Sequence, residues 1–508
     1  MAIKRYFANA DNTITNAYEE NLTTRGTGSN MGRADILEVF SLYGQQSSTS
    51  SELTRFLIKF PITDLSTDRT NGNLPASGSV SFYLKLHNAK HAGTLPEGFV
   101  LDVKAVSGSW QEGVGLDMEN YSDLTYDKIG SNWIKRTGNT SWSSEGGDYY
   151  TDSSSSFKQT FDVGTEDLEV NVTTLVEQWI NSAGNEAVLG VKDNHGFGIH
   201  LSASYEASSS SNPDGAVISY YTKKFFARSS EYFFERPVLE ARWDSARRDN
   251  RGNCYISSSL APAEDNLNTL FMYNHIRGQL KDIGGSETSL PVLNFYHSSG
   301  SIPEGDAKQF LNSSNTVVTF LSSSRVSKGV YKTSFAVASN IITSTYPYLV
   351  DAWTMSGSRL HNGAAFDLKS FALSDYNPSG KYVIAMPNLK KIYMQGQTER
   401  FRLFVRNKNW SPNIYTKANS TIETLLISSA SYQITRVVDD KVVIPYNTGS
   451  NSATMLSYDV SGNYFDLDLG MLEGGYIYGL KYSFYEDTIS SYVEQPFLFK
   501  IRVEKDEY

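Results

Sequence analysis

Apolar residues that recur at every second position constrain the fold of this chain more than any other feature of its sequence. In one stretch Phe82, Leu84 and Leu86 are separated by more polar residues. The same alternation marks four stretches: 55–60, 81–86, 400–406 and 497–504. Successive side chains of a strand point to opposite faces, so this period predicts antiparallel strands with one buried face. Aromatic residues at 13% of the chain suit such sheets, and we expect an all-β protein.

The length of the chain sets the expected number of domains. A chain of 508 residues is too long for one hydrophobic core, and roughly 150 residues per domain suggests about three. The charge-rich stretch 242–249 and the turn-rich stretch 375–380 are the best candidate junctions. We therefore predict domains over 1–245, 246–375 and 376–508.

Helices are expected at two places only. The first is predicted over 174–184, where Thr174 and Glu177 form a capping-box pair and Gly184 ends the run. Its apolar residues share one face: Leu175, Val176, Trp179 and Ile180. A second helix is predicted over 263–277. It rests on the helical spacing of four residues: Leu267, Leu270, Phe271 and Asn274.

Charge and cysteine content narrow the classes of partner. The net charge is −10 and the basic residues are scattered, so we expect no nucleic-acid partner. The single Cys254 allows no internal disulfide, which predicts folding in a reducing compartment. Residues 1–6 are not followed by an apolar stretch, and no run approaches about 20 apolar residues. We expect neither a secretion signal nor a membrane span.

No motif in the sequence specifies an enzyme. A phosphate-binding glycine loop, a nucleophile elbow and paired cysteine sites are all missing. His87 and His91 are four residues apart, as helical metal ligands are, but they leave a predicted strand for a loop. We interpret them, and the pair His195 and His200, as ordinary histidines. The sequence predicts no catalytic residue, no cofactor and no metal.

The N-terminal part of the chain resembles the DNRLRE, or disaggregatase-related, β-sandwich family over about 245 residues. The segments that carry the resemblance occur in the family's order: 10–14 with 29–32, 55–60, 103–110 with Glu112 and Gly113, 172–179, 227–231 and 237–243. The resemblance implies a jelly-roll-like sandwich with one short helix. Trp110 and Trp179 are expected to pack in its core.

An insertion relative to this family covers residues 117–152 and is rich in Tyr, Trp and Asp. Three interpretations stay open for its aspartates, Asp123, Asp127, Asp148 and Asp152. They are solvated loop residues, ligands of a calcium ion, or the lining of a sugar-binding groove together with Trp133 and Trp142. Its aromatic residues are the candidates for contact with a glycan or a protein partner: Trp133, Trp142, Tyr149 and Tyr150.

The last domain contains Leu472-Glu473-Gly474-Gly475-Tyr476-Ile477-Tyr478, which looks like the tyrosine corner of fibronectin type III and related sandwiches. The resemblance implies that Tyr478 returns its hydroxyl to the upstream backbone. We therefore expect two immunoglobulin-like sandwiches after the first domain, the last of them similar to fibronectin type III.

Two further segments, 21–32 and 399–406, resemble structural proteins of marine contractile-tailed phages. This resemblance implies a non-enzymatic virion component of the tail, neck or baseplate, or one associated with the capsid. Its partners would be other virion proteins and copies of itself, and it would be made in the host cytoplasm and released by lysis. The alternative function is carbohydrate binding or adhesion, either as a fibre-like reader of host-surface glycans or on a bacterial surface.

Overall fold

The computed structural model confirms an all-β protein, with 46% of the chain in strands and 8% in helices. It describes these residues: 2–43, 50–91, 95–116, 129–184, 192–209, 212–258, 260–298, 302–337, 348–369, 381–410, 414, 424–449 and 451–505. The chain divides into two compact units, an N-terminal unit Ala2–Trp243 and a C-terminal unit Asp244–Tyr508. The division lies next to the predicted junction at 245. The predicted junction at 375 lies outside the described residues.

Two large antiparallel sheets and a short hairpin over residues 135–141 build the N-terminal unit. Its strands are β1 Ile3–Phe7, β2 Ala10–Thr15, β3 Ile36–Tyr43, β4 Ser51–Lys59, β5 Ser81–Leu86, β6 Phe99–Ala105, β7 Lys135–Thr137, β8 Thr140–Ser141, β9 Ser156–Phe161, β10 Leu168–Asn171, β11 Phe197–Leu201, β12 Tyr220–Phe226 and β13 Val238–Arg242. One sheet has the order β1-β13-β5-β10. The other has the order β12-β3-β4-β11-β6-β9, with β2 paired to β4. Their facing sides enclose the main core, to which β5 contributes Phe82, Leu84 and Leu86 as its alternation predicts.

Helix α2, Thr173–Gly184, confirms the first helix prediction. Trp179 lies in the main core, and its ring centroid is 4.8 Å from that of Phe197. Both carboxylate oxygens of Glu177 accept hydrogen bonds from Arg69, so this side chain ties α2 to helix α1, Ile62–Thr70. The sequence did not predict α1 because its only buried residues, Ile62 and Leu65, form too short an apolar pattern.

The C-terminal unit contains two sandwiches in succession. Its strands are β14 Cys254–Tyr255, β15 Asn268–Tyr273, β16 His275–Ile276, β17 Gln279–Leu280, β18 Val292–Ser298, β19 Phe310–Leu311, β20 Val317–Val318, β21 Leu321–Ser322, β22 Ser324–Ser327, β23 Val330–Phe335, β24 Tyr348–Met355, β25 Ser358–Asn362, β26 Phe366–Lys369, β27 Tyr382–Ala385, β28 Ile392–Met394, β29 Thr398–Asn407, β30 Ala430–Arg436, β31 Lys441–Ile444, β32 Ser457–Asp459, β33 Gly462–Asp468, β34 Tyr476–Glu486, β35 Ser491–Glu494 and β36 Phe499–Glu504. Short 3-10 helices occur in both units: Phe233–Glu235, Asn250–Gly252, Ala263–Asn266, Ile283–Gly285 and Leu469–Met471.

The first of these sandwiches packs the sheet β14-β26-β24-β18-β21 against β15-β23-β22 around Phe295, Phe335 and Trp353. The helix predicted over 263–277 is wrong. Strand β15 occupies its centre and pairs with β23 along its whole length. Three consecutive residues of β15 are buried, Leu270, Phe271 and Met272, so the strand is covered on both faces. A doubly covered strand loses its alternation, and its apolar residues then mimic helical spacing.

The last sandwich pairs the sheet β27-β29-β33-β32 with β28-β36-β34-β30-β31, and β35 joins β34. Aromatic rings fill its core, with Phe465 stacked 4.1 Å from Tyr432 and 5.3 Å from Phe401. Residues 247–249 lengthen the first of these sheets. The Tyr458 amide donates to the Arg247 carbonyl at 2.9 Å, and the Asp249 amide donates to the Tyr458 carbonyl at 3.1 Å. Residues 247–249 of the predicted junction are therefore paired at the edge of this sheet and do not form a free linker.

Tyr478 is fully buried, and its hydroxyl donates to the Glu473 carbonyl at 2.7 Å, the hydrogen bond that the sequence predicted. We expect Tyr478→Phe to lower the free energy of unfolding by about 1 kcal/mol, because the carbonyl loses its donor while the ring stays in place. Chemical denaturation measures the change. Tyr485→Phe, at an exposed ring of the same strand, is the matched control, and an equal loss there would contradict a specific role for the corner.

Candidate functional site

Residues 106–116 and 129–150, which follow β6, lie over the outer face of the larger sheet, and we call them the covering segment. Leu57 points away from the main core, between the buried Phe56 and Ile58. It packs with Val106 and Trp142, and Trp110 and Tyr149 lie against them. We call these five residues the outer cluster. Backbone hydrogen bonds hold the covering segment in place, from Val106 N to Gly196 O and from Tyr150 N to Ala105 O, both at 2.9 Å. Strand β4 is therefore buried on both faces.

The aromatic residues proposed for partner contact belong mostly to this packing. Trp133 and Trp142 are only 4% and 6% exposed, and the Trp142 Nε1 donates to the Asn132 carbonyl at 2.9 Å. The Tyr149 hydroxyl donates to Gly146 O at 2.8 Å, and burial raises the pKa of Tyr149 to about 12. Tyr150 is half-buried against the main core. Neither indole presents a face on which a sugar ring can stack.

Trp110 also lies elsewhere than the sequence predicted. It packs in the outer cluster and not in the main core between the sheets. Its Nε1 donates to the His195 carbonyl at 2.6 Å, which fixes the covering segment to the turn before β11. The physical reason is the direction of the chain, since the segment leaves β6 over the solvent side of the sheet. Trp179, by contrast, lies in the main core as expected.

A paired arginine lies beneath the covering segment. The Arg55 guanidinium donates from Nε and Nη2 to the two carboxylate oxygens of Glu206 at 3.0 and 2.8 Å, and from Nη1 to Gly146 O at 3.1 Å. Its centre lies 5.3 Å from the Trp133 ring. Nearby His200 is buried, and burial lowers its pKa well below the usual value. The cluster fixes the covering segment by charge and packing together.

A second polar cluster joins β2, the covering segment and the turn after β12. The Arg228 amide donates to Asp11 Oδ2 at 2.7 Å, and the Asp11 amide donates to Glu112 Oε1 at 2.9 Å. The Arg228 side chain binds both oxygens of Glu112 at 2.7 Å. Asp11 is fully buried, and its Oδ1 has no hydrogen-bond partner among the described residues. Burial raises the pKa of Asp11 to about 7.

The third polar cluster centres on Lys223, which is fully buried in β12. Its Nζ donates to Asn88 Oδ1 at 2.6 Å and to the carbonyl oxygens of Gly164 and Glu166 at 2.8 Å. The rings of Phe161 and Phe225 lie 5.0 and 5.1 Å from it. Sequence reasoning missed this residue. The one indication in the sequence is its position two residues before Phe225, which puts both side chains on the same face of β12.

The histidines make local contacts. His87 Nδ1 lies 3.0 Å from Asp167 Oδ2, and His91 Nε2 accepts the Lys224 amide hydrogen at 3.0 Å. Burial lowers the pKa of His91 to about 4. Within the described part of the chain, no group of three or more His, Cys, Asp or Glu side chains is arranged to hold a metal ion.

The aspartates of the insertion are only partly described. Asp148 accepts the amide hydrogens of Ser143 and Ser144 at 2.8 and 2.9 Å, and Asp152 binds Lys192 at 2.7 Å. Asp148 therefore stabilises its own loop, whereas Asp152 connects its loop to the segment before β11. Asp123 and Asp127 lie outside the described residues, so the calcium interpretation stays a prediction for them.

Comparisons with known proteins give only weak structural similarities. No family model matches the chain, and no curated protein matches it. Among solved structures, a chimeric titin Z1Z2 tandem is similar at 13% identity over 47% of this chain and 91% of the other, with a TM-score of 0.15. The adhesin InvE of Yersinia pseudotuberculosis is similar at 9% identity over 48% and 61%, with a TM-score of 0.15. Two tandem V-type regions of VCBP3, a v-region-containing chitin-binding protein, are similar at 8% identity over 51% and 98%, with a TM-score of 0.14.

Among the described residues, no helix combines the length and apolar character that a membrane crossing requires.

Proposed function

We propose that this chain is a non-enzymatic structural component of a tailed-phage virion, placed in the tail, neck or baseplate. The resemblance of residues 21–32 and 399–406 to phage structural proteins suggests the particle. The second of these segments lies within β29, a central strand of the last sandwich, and supplies Phe401, Leu403 and Val405 to its buried side. The phage resemblance of 399–406 therefore involves residues that form the core of the last sandwich.

The observation that carries the proposal is the internal use of aromatic and ionic side chains. Trp133, Trp142 and Tyr149 hold the covering segment on the sheet, and Arg55 with Glu206 anchors it from below. Side chains locked in this way contribute rigidity and not chemistry. Well-packed sandwiches suit an assembly role, in which exposed surfaces dock onto other virion proteins or symmetric copies of this chain.

Location in the particle tests the proposal. We expect peptide mass spectrometry of purified infectious particles to detect this chain in a fixed ratio to the other virion proteins. We expect a labelled antibody to mark one site on the tail, neck or baseplate. Absence of the chain from infectious particles would end the proposal.

The adhesion alternative makes a different prediction for Trp133. If the residue contacts a glycan, Trp133→Ala removes binding on a glycan array and leaves folding intact. Because the indole is buried beside Arg55, we expect the variant to lower the unfolding temperature instead. Specific glycan binding that this substitution abolishes without a stability loss would favour adhesion over assembly.

A further inference from the structure

The topology of the N-terminal unit places Asn88 beside Lys223. After β5 the chain runs along the edge of β12, where Ala89 N donates to Lys224 O and Phe226 N donates to His87 O, both at 3.0 Å. Asn88 is thereby opposite Phe225. Lys223 is two residues from Phe225, so its side chain is on the same face and in the diagonal position. The backbone pairing therefore places the Asn88 side-chain amide next to the Lys223 amine.

The Lys223 amine lies within hydrogen-bond distance of the Asn88 side-chain amide. Lys223 Nζ lies 2.6 Å from Asn88 Oδ1. Since a carbonyl bond is about 1.2 Å long, the amide carbon is at most about 3.8 Å from the amine. Attack conformations have reacting atoms about 3 to 3.5 Å apart, so a small shift completes the approach. Asn88 also donates its backbone amide to Asp167 Oδ1 at 2.8 Å, which holds the residue in position.

Burial raises the share of Lys223 that is in the neutral, nucleophilic form. Lys223 is fully buried, and the rings of Phe161 and Phe225 exclude water from two sides. Burial lowers the pKa of Lys223 to about 8, while the charges of Glu166 and Asp167 raise it. Roughly one amine in ten is then neutral at pH 7. A desolvated lysine of this kind is an activated nucleophile.

We propose that Lys223 and Asn88 form an intramolecular isopeptide bond that links β12 to the segment after β5. Neutral Nζ attacks Cγ of Asn88, the Nζ–Cγ bond forms, and the Cγ–Nδ2 bond breaks. One amine proton passes to Nδ2, which leaves as ammonia. The reaction is an amide exchange that needs no oxidant, metal or co-reactant. Asn88 is only half-buried, so ammonia has a route to solvent.

Glu166 is the residue that we assign to move the proton. Its Oε2 is buried and has no hydrogen-bond partner among the described residues. Its charge is the largest favourable one acting on the Lys223 ammonium. Burial acts to raise the pKa of Glu166, but hydrogen bonds from backbone amides outweigh it and lower the pKa, so the side chain is a carboxylate at neutral pH. The Glu166 carbonyl, which accepts from Nζ, positions the amine at the same time.

Intact-mass measurement of the purified full chain tests the proposal. We expect a mass about 17 Da below that of the sequence, equal to one ammonia, and a branched peptide joining Lys223 to Asn88 after proteolysis. In protein purified soon after synthesis, the fraction linked should grow faster at pH 9 than at pH 6, because the neutral amine is more abundant. A wild-type chain that keeps its full mass after long incubation at pH 9 would refute the cross-link.

Variants separate this reaction from other losses of ammonia. Lys223→Met and Asn88→Ala should keep their full mass, whereas Lys224→Met, at the adjacent lysine, should lose ammonia as the wild type does. A loss that persists in Lys223→Met indicates cyclisation of an asparagine and overturns the proposal. If the lysine variants fail to fold, the mass and branched peptide of the wild type decide alone.

The role of Glu166 has its own readout. Glu166→Gln should slow formation of the link by about tenfold or more, and Glu166→Asp should restore most of the rate. A Glu166→Gln chain that links at the wild-type rate would remove this residue from the reaction and leave the Lys223–Asn88 pair.

Discussion

Replacing Glu206 with alanine is expected to lower the free energy of unfolding of the N-terminal unit by about 3 to 5 kcal/mol. The substitution leaves the Arg55 guanidinium under the covering segment without its carboxylate. The two side chains are only 16% and 7% exposed, so water replaces little of the lost interaction. Chemical denaturation, with hydrogen exchange to identify the transition of this unit, measures the effect.

A double variant and a matched pair act as controls for this prediction. Arg55→Met combined with Glu206→Leu removes both charges, and it should recover most of the stability that Glu206→Ala loses. Glu38→Ala breaks the ion pair with Lys224, in which both side chains are 32% exposed, and should cost less than about 1 kcal/mol. Equal losses at Glu206 and Glu38 would show that burial of the Arg55 pair adds nothing.

The contribution of Asp11 to the stability of the N-terminal unit should fall as the pH rises from about 4 to about 7. Burial raises the pKa of this carboxyl from its ordinary 3.8 to about 7, against the opposing charge of Arg228 and with help from Glu112. The folded state therefore binds the proton more tightly than the unfolded chain does. This contribution is complete below pH 3.8 and is lost as the pH passes 7, a change on the order of a few kcal/mol.

Asp11→Asn should flatten this dependence, since the amide keeps an acceptor for the Arg228 backbone and never ionises. Unfolding temperatures measured between pH 4 and 8 test the difference. Asp152→Asn is the control, because the Lys192 and Ser154 hydrogen bonds hold the pKa of Asp152 at about 2, below the tested range. Parallel curves for the wild type and Asp11→Asn would contradict a raised pKa at Asp11.

Alternation predicted strands with one open face, and also β4, but it failed at the doubly covered β15. In β5 and β29 every second residue is buried, as the sequence indicated. In β15 the burial of consecutive residues produced a false helix. The local sequence shows the two-residue period of a strand. Whether the second face of that strand is also buried depends on segments that are distant in sequence.

The sequence could not predict the polar clusters for the same reason, since their partners lie far apart along the chain. Arg55 occupies the polar position of an alternating strand, which normally faces water, and its partner Glu206 is 151 residues away. The aromatic residues of the insertion were recognised as a set, but their exposure was not predictable, because the same Trp and Tyr content suits a binding surface or a buried packing layer. Only Tyr478 had a local motif that fixed its hydrogen bond.

The pairing of residues 247–249 with Tyr458 sets an order of events during translation. Arg247 emerges from the ribosome long before Ser457, whose hydroxyl accepts its backbone amide across a separation of 210 residues. At 5 to 20 residues per second, this edge waits roughly 10 to 40 s for its partner. All pairing partners of the N-terminal sheets have been synthesised by then. Nascent chains should thus carry one finished unit while the start of the next still lacks its neighbour, an interval in which a chaperone or a second nascent chain can bind that edge.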